Sequence, residues 1–195
     1  MQKRIHRVLV ICSNYDNYML EEDGRIDEQI FNEYVSLNLR YPPVFVQTDN
    51  SDDAFKILKD GNVDLIISMV SVKGTDVFAL AKKIKNEYEN IPIVVLTYFS
   101  REVSLRLEGE DLSAIDYVFC WLGDAALILA IIKLIEDKMN AEHDIESIGV
   151  QAIIIVENSI RYISSYLPNI YRIVLLQSLD FQREALNEHQ RMLKM

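Results

Sequence analysis

Short, wholly apolar runs recur along this chain, each followed by a stretch whose apolar positions fall at helical spacing. Val8-Leu9-Val10-Ile11 is the first, of the kind a strand shows when helices cover both faces of a parallel sheet. Residues 27–39 place Ile30, Phe31, Tyr34, Val35 and Leu37 near helical spacing and stop before Pro42-Pro43, because a residue ahead of proline is driven out of the helical region. Val44-Phe45-Val46 predicts a second strand, Ser51 or Asp52 a helix cap, and Phe55, Ile57 and Leu58 an amphipathic turn that ends at Gly61. The third strand spans residues 63–70. The third helix spans 76–88, with Phe78, Leu80, Ala81 and Ile84 inward and Lys82, Lys83 and Lys85 outward. Residues 93–96 predict a fourth strand, 100–107 a weakly patterned helix, 117–121 a fifth strand, and a last helix starts near Asp124 and runs past Met139. Strand and helix alternate throughout, which predicts an α/β fold with a doubly wound parallel sheet and short connections.

The pattern restarts after Gly149, beyond which none of the six glycines lies. Residues 152–156 form a fresh apolar run that leads into a long helical pattern from Ser159, and Val8 to Asn14 and Ile153 to Ser159 both read as a strand ending in small polar residues. An internal repeat explains this economically. The expected organisation is therefore a domain over residues 1–140, a linker over 141–149, and the first strand and helix of a truncated second copy over 150–195. One strand and one helix bury no core alone, so they must dock on the first domain or on another chain.

Charge narrows the function classes. Thirty acidic side chains against twenty basic ones leave a net charge of −10, and no basic face is available to neutralise nucleic-acid phosphates. The longest apolar run, residues 125–132, falls well short of the roughly twenty residues that span a bilayer, and the N-terminal run is too short for a signal peptide. A soluble, cytoplasmic protein is expected. Cys12 and Cys120 each sit inside a strand-like run, so two buried thiols are expected rather than a disulfide scaffold. His6, His143 and His189 form no cluster at ligand spacing, and no metal or cofactor is expected.

The segment from Val63 through Met69 and Gly74 to Phe78 resembles the heart of a response-regulator receiver domain, where an apolar strand ends in a phosphorylated Asp and a turn leads into the next helix. Pro92 to Thr97 resembles that family's strand ending in a hydroxyl residue, and Ala114-Ile115-Asp116-Tyr117-Val118-Phe119-Cys120-Trp121 resembles its Ala-x-Asp-Tyr-x-x-Lys-Pro segment. The resemblance covers residues 5 to 140 and implies a five-stranded CheY-like sheet in the order 2-1-3-4-5. It also implies that the phosphorylation pocket is degenerate. The phosphoacceptor position carries Met69, the Mg²⁺-binding acidic pair Cys12 and Ser13, and the conserved-type lysine Cys120, while only Thr97 keeps its type. Aspartyl phosphorylation needs a carboxylate nucleophile, hard oxygen ligands and a cation for the developing charge. Asp64 lies at the opposite sheet edge, and Asp16 and Asp76 read as helix caps.

In the second copy, Val156-Glu157-Asn158-Ser159 resembles the receiver acidic pair with one acid kept, which makes Glu157 a candidate metal ligand. The stretch Glu157 to Tyr171, with Leu20 to Arg25, Leu37 to Tyr41 and Trp121 to Asp124, resembles bacterial proteins in which tandem receiver-like domains precede a phosphoenolpyruvate synthase or pyruvate phosphate dikinase module. That resemblance implies a PEP/pyruvate-binding neighbour and no activity within these residues.

Residues 125–135 carry Lys133 as their sole charge and are apolar around the whole helix, so both faces should be covered. The cover is either a second chain or the helix after Ser159, through Ile163, Leu167, Ile170, Tyr171, Val174 and Leu175. A homodimer or swapped arrangement is expected, with Tyr117, Trp121, Ile128, Ile131, Ile132 and Ile135 as candidate interface residues. The first function expected is a non-catalytic pseudo-receiver that regulates or oligomerises a larger protein. The competing one is a phosphorylation-dependent response regulator whose working receiver is the second copy, and a third is an enzyme using the thiols.

Overall fold

The computed structural model describes residues 2–21, 24–72, 75–98 and 109–192. Its centre is a parallel sheet of β1 (Arg7–Ile11), β2 (Val44–Thr48), β3 (Leu65–Met69), β6 (Ile93–Tyr98) and β7 (Tyr117–Trp121). These lie in the order β2-β1-β3-β6-β7, which is the order 2-1-3-4-5 that the receiver resemblance implies. A small antiparallel pair, β4 (Ser71–Val72) and β5 (Thr75–Asp76), leads from β3 into α4 (Val77–Glu87). The expected helix over 100–107 lies outside the described residues.

Local chemistry sets the helix starts. The single helix expected over 27–39 is preceded by another, so α1 (Asn14–Leu20) and α2 (Ile26–Ser36) stand where one was read. Ser13 and Asp16 close a reciprocal capping box that starts α1 directly after β1. For α3 (Ser51–Lys59) the cap is Asn50 rather than Ser51 or Asp52, its side-chain oxygen accepting the Asp53 N–H at 2.8 Å. Asp76 caps α4, and Asp124 caps α5 (Ala125–His143). A π-turn, Asp144–Ile148, then closes on Gly149 in the left-handed region at φ 76°, where glycine carries no Cβ penalty.

Two cores sandwich the sheet. On one face Val8, Val10, Leu65, Ile67, Val94 and Phe119 pack with α2 and α5, and on the other Leu9, Ile11, Ile66 and Ile93 pack with α3 and α4. The last helix, α6 (Ile160–Met192), runs through Pro168 without interruption and lays Leu167, Ile163, Tyr171 and Leu175 against the α5 side.

Two expectations are corrected here. Residues 152–156 are not a strand: they belong to neither sheet. A strand needs a hydrogen-bonding neighbour, and the free edge of the sheet is already approached by α6, where the Cys120 N–H donates to Ser164 Oγ at 2.7 Å. The candidate interface residues are also inside the chain rather than on its surface. Ile128, Ile131, Ile132 and Ile135 are buried, Trp121 is 7% exposed and Tyr117 is half-buried. Their all-round apolar helix is covered by the sheet and α2 on one side and by α6 on the other, so the second cover is intramolecular.

Candidate functional site

In doubly wound sheets ligands bind outside the carboxyl ends of the strands, and the sequence-predicted residues gather there. Cys12 follows β1, its N–H donating to Thr48 O at 3.0 Å. Ser13 caps α1, Met69 ends β3, and Thr97 in β6 lies in register with Cys120 in β7. All five therefore occupy one edge across four adjacent strands. Met69 is 1% exposed, so the position that would carry a phosphoacceptor holds a packed thioether. Thr97 Oγ1 donates to Tyr98 O at 3.1 Å and is satisfied within its own strand.

The charge at this edge is one-sided. Asp16 is 3% exposed, and its Oδ2 accepts from Ser13 Oγ at 2.6 Å, so it is held as the capping-box acid. Glu21 accepts from Gln47 Nε2 at 3.2 Å, and Asp49 from Asn50 Nδ2 at 3.2 Å. Burial, followed by the charges of Asp16, Glu21 and Asp49, pushes the Cys12 thiol up to about 12, which keeps it protonated and a poor nucleophile. Burial and then Asp16 push the Tyr98 phenol up to about 12 as well. The buried Tyr98 hydroxyl is the feature here that sequence reasoning missed. Asp16, read from the sequence as a helix cap, does serve the start of α1, through its capping box with Ser13.

These residues do not fit the Mg²⁺ that receiver chemistry uses. The positions that would hold it, Cys12 and Ser13, carry a thiol and a capping hydroxyl, and a hard cation asks for several free oxygen ligands. Among the described residues no group of three His, Cys, Asp or Glu side chains is placed to hold a metal ion. The two thiols do not form a pair. Neither is in a disulfide, and with β3 and β6 between their strands they stand roughly 14 Å apart at the usual strand spacing, beyond disulfide reach.

The other acids fall where the sequence places them. Asp64 Oδ2 accepts the N–H groups of His6 at 2.8 Å and Arg7 at 3.0 Å, at the entrance of β1 and so at the opposite edge. Asp76 caps α4 through the Phe78 N–H at 3.2 Å. Glu157 is exposed, and its Oε1 accepts the Ser159 N–H at 2.8 Å just ahead of α6.

No family model matches the sequence, and no curated protein does. Solved structures do match the fold. A two-component response regulator from Clostridium difficile is 22% identical over 69% of this chain and 98% of its own, with a TM-score of 0.51. The REC domain of AraT, a response regulator from Geobacillus stearothermophilus, is 18% identical over 71% of this chain and 98% of its own, also at 0.51. The fold is thus the CheY-like receiver fold. No helix among the described residues is long and apolar enough to cross a membrane.

Proposed function

We propose that this chain is a pseudo-receiver: a receiver fold that performs no phosphotransfer and acts through its surface, as the regulatory and oligomerisation module of a larger, cytoplasmic PEP synthase-like signalling protein. The observation that carries the reading is Met69, a buried thioether at the end of β3 where a receiver's nucleophilic carboxylate would stand. A thioether forms no acyl phosphate. The electrostatics support the same reading, since Asp16, Glu21 and Asp49 surround Cys12 with negative charge and disfavour an approaching phosphoryl dianion. Selection on such a module acts on shape and surface.

The test is incubation of the purified chain with acetyl phosphate and Mg²⁺, followed by intact mass measurement. The expected result is an unchanged mass. A gain of one phosphoryl group, lost on hydroxylamine treatment as an acyl phosphate would be, overturns the reading.

A further inference from the structure

The helices α3 and α4 pack on the same face of the sheet, through Ala54 and Leu58 of the first and Leu80, Ala81 and Ile84 of the second. Between them lies a groove of about 290 Å³ lined by Phe55, Lys59, Lys83, Asn86 and Glu87. Phe55 is half-buried and packs against the core beneath, and the other four are exposed. The two helices carry five lysines, Lys56, Lys59, Lys82, Lys83 and Lys85. Three are neutralised within the chain: Lys56 by Asp53 at 2.7 Å, Lys82 by Asp111 at 2.9 Å and Lys85 by Asp116 at 2.9 Å. Among the described residues Lys59 and Lys83 have no ion pair, and they are the two that line the groove. Lys59 ends α3, where a cation also offsets the helix dipole. Lys83 has no such duty, since it precedes the last turn of α4, whose cation is Lys85.

We infer that this groove docks an acidic peptide segment of a partner protein, with an apolar side chain seated on Phe55 and carboxylates beside Lys59 and Lys83. Charge selects the occupant. In a chain of net charge −10, two uncompensated cations on one groove are a local reversal of sign, which favours an anionic partner and disfavours a basic one. Magnitude selects a peptide over a free anion. An ion pair with an exposed lysine is worth roughly fivefold in affinity at most, so a small anion is not held. Two such pairs flanking an apolar anchor act together when one ligand carries all three groups. Glu87 on the same lining disfavours a continuous polyanion such as a nucleic-acid strand, and the Asn86 amide offers a donor and an acceptor to the peptide backbone.

This rests on the interaction-module reading and names a partner class for it. Its readout is peptide binding rather than labelling, so the two fail separately. The probe is a short fluorescein-labelled peptide of alternating glutamate and leucine, titrated with the full chain and followed by anisotropy. Two double variants carry the same change in net charge: Lys59→Glu with Lys83→Glu inside the groove, and Lys56→Glu with Lys82→Glu outside it. All four lysines are exposed, so both variants are expected to fold, as circular dichroism checks. The wild type is expected to bind, and the groove variant to bind at least about tenfold more weakly. The outer variant should lose no more than about threefold, because charges away from the contact are screened. Serine in place of leucine in the peptide should also weaken binding. No binding by the wild type overturns the inference, as does an equal loss in both variants or equal affinity for a peptide of lysine and leucine. Displacement of the peptide by inorganic phosphate at constant ionic strength would overturn it in favour of a free-anion site. A wild-type dimer in light scattering that Lys59→Glu with Lys83→Glu dissociates would overturn it in favour of a second copy.

Discussion

The two edges of the central sheet use acidic side chains in opposite ways. At the amino edge Asp64, Asp116 and Glu136 are engaged with backbone N–H groups or lysines. Asp64 holds the start of β1, and Asp116 accepts from the Ile93 N–H and Lys85 Nζ, each at 2.9 Å. Glu136 accepts from the Ile5 N–H at 3.0 Å and pairs with Lys133 at 2.7 Å. Asn140 extends this strap, accepting from the N–H groups of Gln2 and Lys3, each at 2.8 Å. At the carboxyl edge Asp16, Glu21 and Asp49 surround a thiol whose pKa they raise together with burial. Among the described residues, acids at the amino edge therefore tie the chain together, while those around Cys12 raise the pKa of a thiol.

The largest expected effect comes from breaking the compensated edge. Glu136→Ala strands Lys133, which is buried, without its partner, and should cost about 3–5 kcal/mol in urea unfolding. Glu136→Leu combined with Lys133→Met should recover most of that, because the pair is replaced by packing. Next is the closed flank of the sheet: Ser164→Ala leaves the Cys120 N–H unpaired and should cost about 1–3 kcal/mol in the same measurement.

The acids on and beside α5 should separate by pH. Burial opposes ionisation of Asp116, but hydrogen bonds from the Ile93 N–H and Lys85, with the charges of Lys85 and Lys138, outweigh it and hold the carboxyl below its ordinary 3.8. Its contribution is present above that value and is lost as pH falls through the lower folded value. Asp137 has the opposite sign: burial raises it above 3.8, and the hydrogen bond from Tyr171 at 2.8 Å only partly offsets this. Its contribution is present below 3.8 and is lost as pH rises through the folded value. Asp137→Asn should therefore stabilise the chain at neutral pH, with the gain disappearing below 3.8 in a stability series. The smallest effect is expected at Cys12. Its buried thiol, at about 12, should resist iodoacetamide at pH 8 until the chain unfolds, as followed by mass.

Much of this was readable from residue order. The apolar runs mark all five sheet strands; for β1, β3 and β6 the reason is burial on both faces, which leaves no polar face to obscure the run, whereas β2 is an exposed edge strand, and 117–121 matches β7 to the residue. The Met69, Cys12, Ser13 and Cys120 substitutions could be read without coordinates, since they concern which atoms are present. Asp64 could be assigned to the wrong edge by counting along one strand. The covering of α5 was another matter. Its all-round apolar surface announced a second partner, but the pattern fitted a second chain as well as α6, because hydrophobic spacing records that a face is buried and not what buries it.

Sequence by itself thus determined the sheet strands, the helices from α2 onward among the described residues, and the side-chain types available at the carboxyl edge, all of which follow from short-range periodicity and side-chain type. Only the tertiary structure decided that Ser164 would bond at the β7 edge, that Trp121 and the α5 isoleucines would turn inward, and that residues 152–156 would join neither sheet. Those outcomes depend on which of several compatible surfaces meet across more than forty residues of chain. That is settled by competition among long-range contacts, which no local pattern encodes.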